Sequence, residues 1–233
     1  MNLFSWFADP AHWTGPGGIP TRVAEHLSYS GLALLIGVVI AIPVGALIGH
    51  TGRGGFLVVG LANALRALPD LGLLILLVLL IGINLVSVQL ALLVLAIPPL
   101  LAGTYSGVRN VDPAVVDAAR GVGMREHQVL LAVELPIALP LVLGGLRTAA
   151  LQVVATTAIA AYVSYGGLGR YLIDGQREHD YTQMAAGAVL IAVLALVVEG
   201  LLASVQRLLG LRTAGNRAKL GGRSRSEFVG VRS

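Results

Sequence analysis

The chain is 233 residues long, 56% hydrophobic and only 12% charged, with a net charge of +4, 30 Gly, 10 Pro and no Cys. Soluble domains carry about 25% charged residues; half that supply cannot cover a globule in water, and it equally excludes a disordered chain, which needs high charge and few aliphatics. Without cysteine there is no disulfide framework or thiolate metal site, and a mean hydropathy of +0.83 points to a polytopic membrane protein.

Met1–Pro20 has no basic segment ahead of its aromatic cluster and does not read as a signal peptide. Trp6 and Trp13, with Phe4 and Phe7, are expected to anchor an extracytoplasmic, interfacial segment over residues 1–22 at the headgroups. Beyond it, gaps between charges locate the spans. No Asp, Glu, Lys or Arg occurs in the 27 residues between Glu25 and Arg53, the 38 between Asp70 and Arg109, or the 22 between Arg147 and Arg170. Between Asp180 and Arg207 only Glu199 intervenes.

One crossing takes about 20 residues. The second gap is therefore too long for one span and short for two, so its first helix must begin near Leu57 and run through Arg66, Pro69 and Asp70. The expected spans are 26–49, 57–83, 87–108, 138–163 and 183–209, an all-α polytopic membrane domain of about five helices (five or six) over 23–210. Turns fall at 50–55 and around Gly82 and Asn84. Pro43 and Pro69 are expected to kink their spans. Period-two alternation, the mark of a barrel, is missing.

Five spans put ten basic residues on the side of the 109–137 loop and three on the other. The positive-inside rule then sets the N-terminus outside and the C-terminus in the cytoplasm. The basic tail 211–233 reads as disordered and weakly attracted to anionic lipid.

The 109–137 loop contains structure. Asp112-Pro113 is a helix start, Ala114–Arg120 has helical composition, and Gly121 and Gly123 stop it. A second short helix is expected over Arg125–Leu135, with Val129, Leu130, Val133 and Met124 on its apolar side, and Pro136 and Pro140 flank entry to the next span. A helix, a glycine turn and a second helix at the membrane face make a shape suited to a groove in another protein.

Within that loop, Asp117-Ala118-Ala119-x3-Gly123-x9-Val133-x-Leu135-Pro136 resembles the EAA signature of bacterial ABC importer permeases, with Asp in place of Glu and Val in place of Ile. The flanks Arg109–Pro113, Gly121–Met124, Val133–Pro136 and Gly144–Thr148, and Tyr165-Gly166-Gly167-Leu168-Gly169 after the fourth span, are similar to permeases for glycine betaine, carnitine, choline and proline. The resemblance covers about residues 25–205. It implies a MetI-like permease fold and a partner permease subunit, identical or paralogous. It also implies a coupling loop docked on a cytoplasmic ABC ATPase, and an external binding protein that delivers an osmoprotectant. The loop residues it marks are Asp117, Ala118, Ala119, Gly121, Gly123, Met124, Val133, Leu135 and Pro136. Methionine or another amino acid stays open as substrate, with an intramembrane enzyme or a passive channel as remote alternatives.

The residues agree on energy supply. A phosphate loop requires Gly-x4-Gly-Lys-Ser/Thr, and the single Lys, Lys219, is followed by Leu220. ATP and Mg are therefore expected at a partner ATPase, with no cofactor bound by this chain. The five histidines show no ligand spacing for a metal, and Ser164 lacks the setting of a catalytic serine. Lipid and protein are the expected partners, not nucleic acid. Charge in hydrocarbon needs a reason: Arg66, Asp70, Arg147 and Glu199 are expected to form an interior network that lines the path or braces helices, with Arg66 and Asp70 paired four apart if the helix continues. Gln152, Tyr162 and Tyr165 are further candidates for the path, since a quaternary ammonium is attracted to aromatic faces. Interfacial anchoring is the competing role for the tyrosines.

Overall fold

Runs free of charge and turn signals fold as helices in the computed structural model, which describes residues 2–208 apart from the side chains at 57, 59, 61, 63, 66 and 208. The tail expected at 211–233 lies outside the described residues. A short helix α1 (Leu3–Ala8), capped by the Asn2 side chain, leads through a 3-10 turn (Pro10–Trp13) into the long α2 (Ile19–Thr51). There follow α3 (Gly55–Arg66), α4 (Asp70–Ile81) and α5 (Leu85–Arg109), the last capped by Asn84, whose Oδ1 accepts from the Ser87 N–H at 3.0 Å. The loop region holds α6 (Pro113–Gly121) and α7 (Glu126–Val129). A π-helical segment (Leu130–Glu134) carries α7 into α8 (Leu135–Thr156), which continues as 3-10 helix over Thr157–Val163. Finally come α9 (Gly169–Glu178) and α10 (Tyr181–Leu208).

Four helices among the described residues are long and apolar enough to cross a membrane: 19–51, 85–109, 126–163 and 181–207. The expected span 57–83 differs. It is broken into α3 and α4, because Leu68 precedes a proline, which disfavours helical backbone there, and Pro69 itself is extended at φ −66, ψ 121. The proline breaks this span where Pro43 leaves α2 helical throughout. The separate short helix expected over 125–135 is also corrected. It runs unbroken into α8, with the π turn placed just ahead of Pro136. In that widened turn the Leu135 N–H bonds to the Leu130 carbonyl, five residues back, which accommodates a proline without a break.

The centre of the fold is α5, which packs against both α2 and α8. In lipid there is no hydrophobic drive between helices, so close packing of small residues must supply the contact. Gly37, Ala41, Gly45 and Gly49 recur every fourth residue along α2 and are buried. A Cβ on Gly45 would lie 2.9 Å from Thr104 Cβ and 3.0 Å from the Leu101 carbonyl oxygen; one on Gly145 of α8 would lie 2.6 Å from the Pro99 oxygen. Both faces of α5 are thus in near backbone contact with their neighbours.

The N-terminal segment corrects a third expectation. Trp6 is 1% exposed rather than interfacial: it stacks on His12 at 3.9 Å and meets the Tyr171 edge at 5.4 Å, within a cluster of Ile19, Leu168 and Ala186. Tyr171 donates to the Gly17 carbonyl at 2.7 Å, and burial pushes its phenol above the ordinary tyrosine value. Phe4 and Trp13 remain exposed.

Gly45→Ala is expected to lower the melting temperature of the purified chain, overpacking costing about 1–3 kcal/mol. Gly31→Ala in the same helix, where a Cβ meets nothing within 4 Å, leaves it unchanged or raises it slightly. Thermal unfolding of the two variants in one detergent checks this.

Candidate functional site

At one end of the bundle the chain from 109 to 137 folds onto the ends of α2 and α5. Asp112 begins α6 as the sequence predicts, its Oδ1 accepting from the Ala114 N–H at 2.9 Å. Val111, Val116, Ala119 and Val129 form a small core, with Met124 and Val133 packed against it. Gly123 adopts φ +88. Its N–H bonds to the Arg120 carbonyl, and the Met124 N–H reaches back to Ala119 at 3.2 Å. These two bonds close a Schellman turn, which requires a left-handed residue at that position. The glycine of the signature therefore has a local reason, which is to reverse the chain between α6 and α7.

The other signature residues divide between face and footing. Asp117 is on the outer face, its side chain 75% exposed and 3.5 Å from Arg120. Ala118, Gly121 and Val122 are exposed beside it, and Pro136 is exposed at the first turn of α8. Ala119 is buried, and Leu135 packs into a neighbouring cluster of Ala46, Val108, Leu130, Ala138 and Val142. The patch that remains open carries one carboxylate among small and aliphatic residues. It can receive a partner surface, and it has no nucleophile or base poised for chemistry.

Behind this face lies a polar network that the sequence did not reveal. His50, one residue before the end of α2, places Nδ1 2.5 Å from Glu134 and Nε2 3.1 Å from Glu126. Glu126 accepts two hydrogen bonds from Arg120, at 2.9 and 3.0 Å, and this pairing raises the Arg120 guanidinium further above its ordinary value. The partners His50 and Glu134 are 84 residues apart, and no local spacing could have joined them. A cleft of about 150 Å³ opens beside the network, lined by His50, Arg109, Asp117, Arg120 and Glu134 among others.

Of the four intramembrane charges, two meet. Arg147 of α8 bonds to Glu199 of α10 and, at 2.9 Å, to Gln206. Arg147 Nε and Glu199 Oε2 are buried without partners among the described residues. The Arg66–Asp70 pairing is not supported, because the helix stops between them at Ala67–Pro69. Asp70 heads α4, where a helix N-terminus favours a carboxylate, and the Arg66 side chain lies outside the described residues. Among the described side chains, the expected network contains the Arg147–Glu199 interhelical pair.

At the opposite end of the bundle, Glu25 accepts from Arg22 at 2.9 Å and from the Gly167 N–H at 2.7 Å. His26, fully buried, donates to the Val154 carbonyl at 2.8 Å, beside the switch from α to 3-10 helix. Tyr165 meets Tyr29 edge-on at 6.1 Å, whereas Tyr162 is 48% exposed and Gln152 is half-buried. No group of three or more His, Asp or Glu side chains suited to a metal occurs among the described residues.

Glu199→Gln is expected to lower folded yield and melting temperature by removing the charge that faces Arg147. The double variant Arg147→Gln/Glu199→Gln should recover part of the loss, since it leaves no unpaired charge. Size-exclusion yield and thermal unfolding check both; a double variant no better than the single would refute the pairing as a brace.

Comparison with known proteins bears on the whole of this arrangement. The pattern described as binding-protein-dependent transport system inner membrane component matches residues 34–212. The chain is 30% identical over 194 residues to the choline transport system permease protein OpuBB of Bacillus subtilis, covering 83% of this chain and 89% of that one. It is 34% identical over 195 residues to the osmoprotectant import permease protein OsmW of Salmonella typhimurium, covering 82% and 91%. Among solved structures, an inward-facing form of the MetNI methionine ABC transporter has the same fold, with a TM-score of 0.70 at 24% identity, covering 80% of this chain and 94% of that one.

Proposed function

This chain belongs to the family of binding-protein-dependent transport system inner membrane components, and from that premise we propose that it is the permease subunit of an ATP-driven importer for a small osmoprotectant such as glycine betaine, carnitine, choline or proline. It is a transport subunit and not itself an enzyme. The observation that carries the reading is the 109–137 loop. Its signature spacing coincides with a folded helix–Schellman turn–helix unit whose open face holds Asp117, Ala118 and Val122, the last 81% exposed.

On this reading the loop is the coupling element and docks on a cytoplasmic ATPase subunit, which binds ATP and Mg. The N-terminus is outside and the C-terminus inside, as the distribution of basic residues supports. A second permease subunit, identical or paralogous, completes the membrane part, and an external binding protein supplies the substrate. Choline and osmoprotectant transport in the names of OpuBB and OsmW supports that substrate class. Tyr165 and Tyr162, with Gln152 nearby on the same segment, are the residues we assign to the path, where aromatic faces attract a quaternary ammonium weakly enough to release it. Arg147 and Glu199 brace the helices beside it.

Gly123→Leu tests the coupling element. A leucine at a left-handed position costs about 1–2 kcal/mol and unmakes the turn. Uptake of labelled choline or glycine betaine is expected to fall to background while capture by the external binding protein and the amount of permease in the membrane stay unchanged. Normal uptake by this variant overturns the coupling assignment. Competition of the parent's uptake by methionine but not by betaine would move the substrate to the amino-acid class.

A further inference from the structure

His50 carries a constraint that follows from donor counting. Both of its ring nitrogens face carboxylate oxygens, Nδ1 toward Glu134 at 2.5 Å and Nε2 toward Glu126 at 3.1 Å. A neutral imidazole has one N–H and one lone pair. With both glutamates ionised, a neutral His50 would hold one carboxylate and set its lone pair against the other. An attractive contact on both sides of the ring requires one further proton on the unit. Glu134 is 4% exposed, and His50 is the one hydrogen-bond partner of its side chain among the described residues.

The surrounding charges agree. The groups around His50 are Glu134 on the π segment, Glu126 on α7, Arg120 and Asp117 on α6, and Arg109 on α5, which lines the same cleft. With His50 protonated, three positive side chains (His50, Arg109, Arg120) face three negative ones (Glu134, Glu126, Asp117). Without the proton the cluster has a surplus negative charge beside a buried carboxylate, which is unfavourable.

The connectivity gives the unit a mechanical meaning. His50 belongs to α2, which is locked against α5 by its glycine stripe. Glu126 lies beyond the Schellman turn, and through Arg120 it also holds α6. Glu134 lies at the foot of α8. One imidazole therefore joins the rigid helical block to both arms of the loop. We infer that His50 is a proton-dependent positioning residue that latches the end of α2 to the 109–137 loop, so that force on the loop reaches the membrane helices. Its role in transport rests on the assignment of that loop as the coupling element; the latch itself does not.

The chain has no cysteine, so Thr51→Cys/Val122→Cys, both sites being exposed, carries two spin labels without background. The distance between them is measured on the full chain in lipid nanodiscs. A narrow distribution is expected for the parent at low pH, roughly doubling in width at high pH, where the unit carries one proton fewer. His50→Ala gives the broad distribution at every pH. His50→Gln, which keeps an amide donor but no titratable proton, gives one intermediate width without pH response. A narrow distribution in His50→Ala refutes the latch; a pH response that persists in His50→Gln, or is missing in the parent, refutes the proton. In cells, His50→Ala should reduce uptake several-fold at unchanged membrane abundance, with partial rescue by His50→Gln. Normal uptake despite a broadened distance would refute the role in transmission. No uptake by the parent for any osmoprotectant would count against the proposed substrate alone and leave the distance result standing.

Discussion

The fold depends on how closely α5 can approach its two neighbours. Helices in lipid gain little from hiding apolar surface, because the solvent is apolar too, and what remains is van der Waals contact at short range. Gly37, Gly45 and Gly49 on α2 and Gly145 on α8 remove the side chains that would hold the backbones apart. Of the most apolar stretch of α5, 61% is buried, against 28% for the spans on α2 and α8 and none for α10. The three-helix block is thus the most closely packed part of the described chain. The cluster of Ala46, Val108, Leu130, Ala138 and Val142 at its end draws one residue or more from each helix of the block and from the π segment. The loop stands on that cluster, so a tight block is a precondition for a well-placed loop.

What the sequence made legible was set by local chemistry. Charge-free runs gave the long helices, Asn84 and Asp112 gave helix starts through side-chain oxygens that reach a nearby N–H, and the signature spacing gave the loop. Proline was the weak point. Pro43, Pro136 and Pro69 look alike in sequence, yet the first two sit within continuous helix and the third ends one. The outcome depends on whether the neighbouring turn can widen and whether packing holds the two sides in line. The π segment before Pro136 is held on both sides, by Val129 and by Leu130 and Ala138, whereas α4 beyond Pro69 buries only Leu74.

Burial of Trp6 was illegible for a related reason. An aromatic near a terminus reads as a headgroup anchor unless its partner is known, and the partner, Tyr171, is far along the chain. The His50–Glu134 contact is the extreme case. Its residues are unremarkable in their own segments, one at a helix end and one between two signature positions. Only the packing of α2, α5 and α8 on one another brings them together.

The two long-range polar contacts then differ in what they constrain. Arg147 fastens α10 to α8 through Glu199 and Gln206, and beyond Gly187 no other described residue of α10 is buried to fix its rotation. In a helix that lipid could surround on most sides, an ion pair sets the register, because every other rotation leaves both charges in hydrocarbon at a cost of about 2.5–3.5 kcal/mol each. Such a contact specifies one arrangement and has no reason to release. His50 sits instead at the water-facing end, where Glu126 is largely exposed and Glu134 is not. One side of the imidazole is anchored and the other is open to exchange with solvent or a partner. A transporter needs both kinds of joint. The ion pair holds α10 against α8, and the His50 contact stands at the foot of the loop proposed to couple the membrane domain to its ATPase.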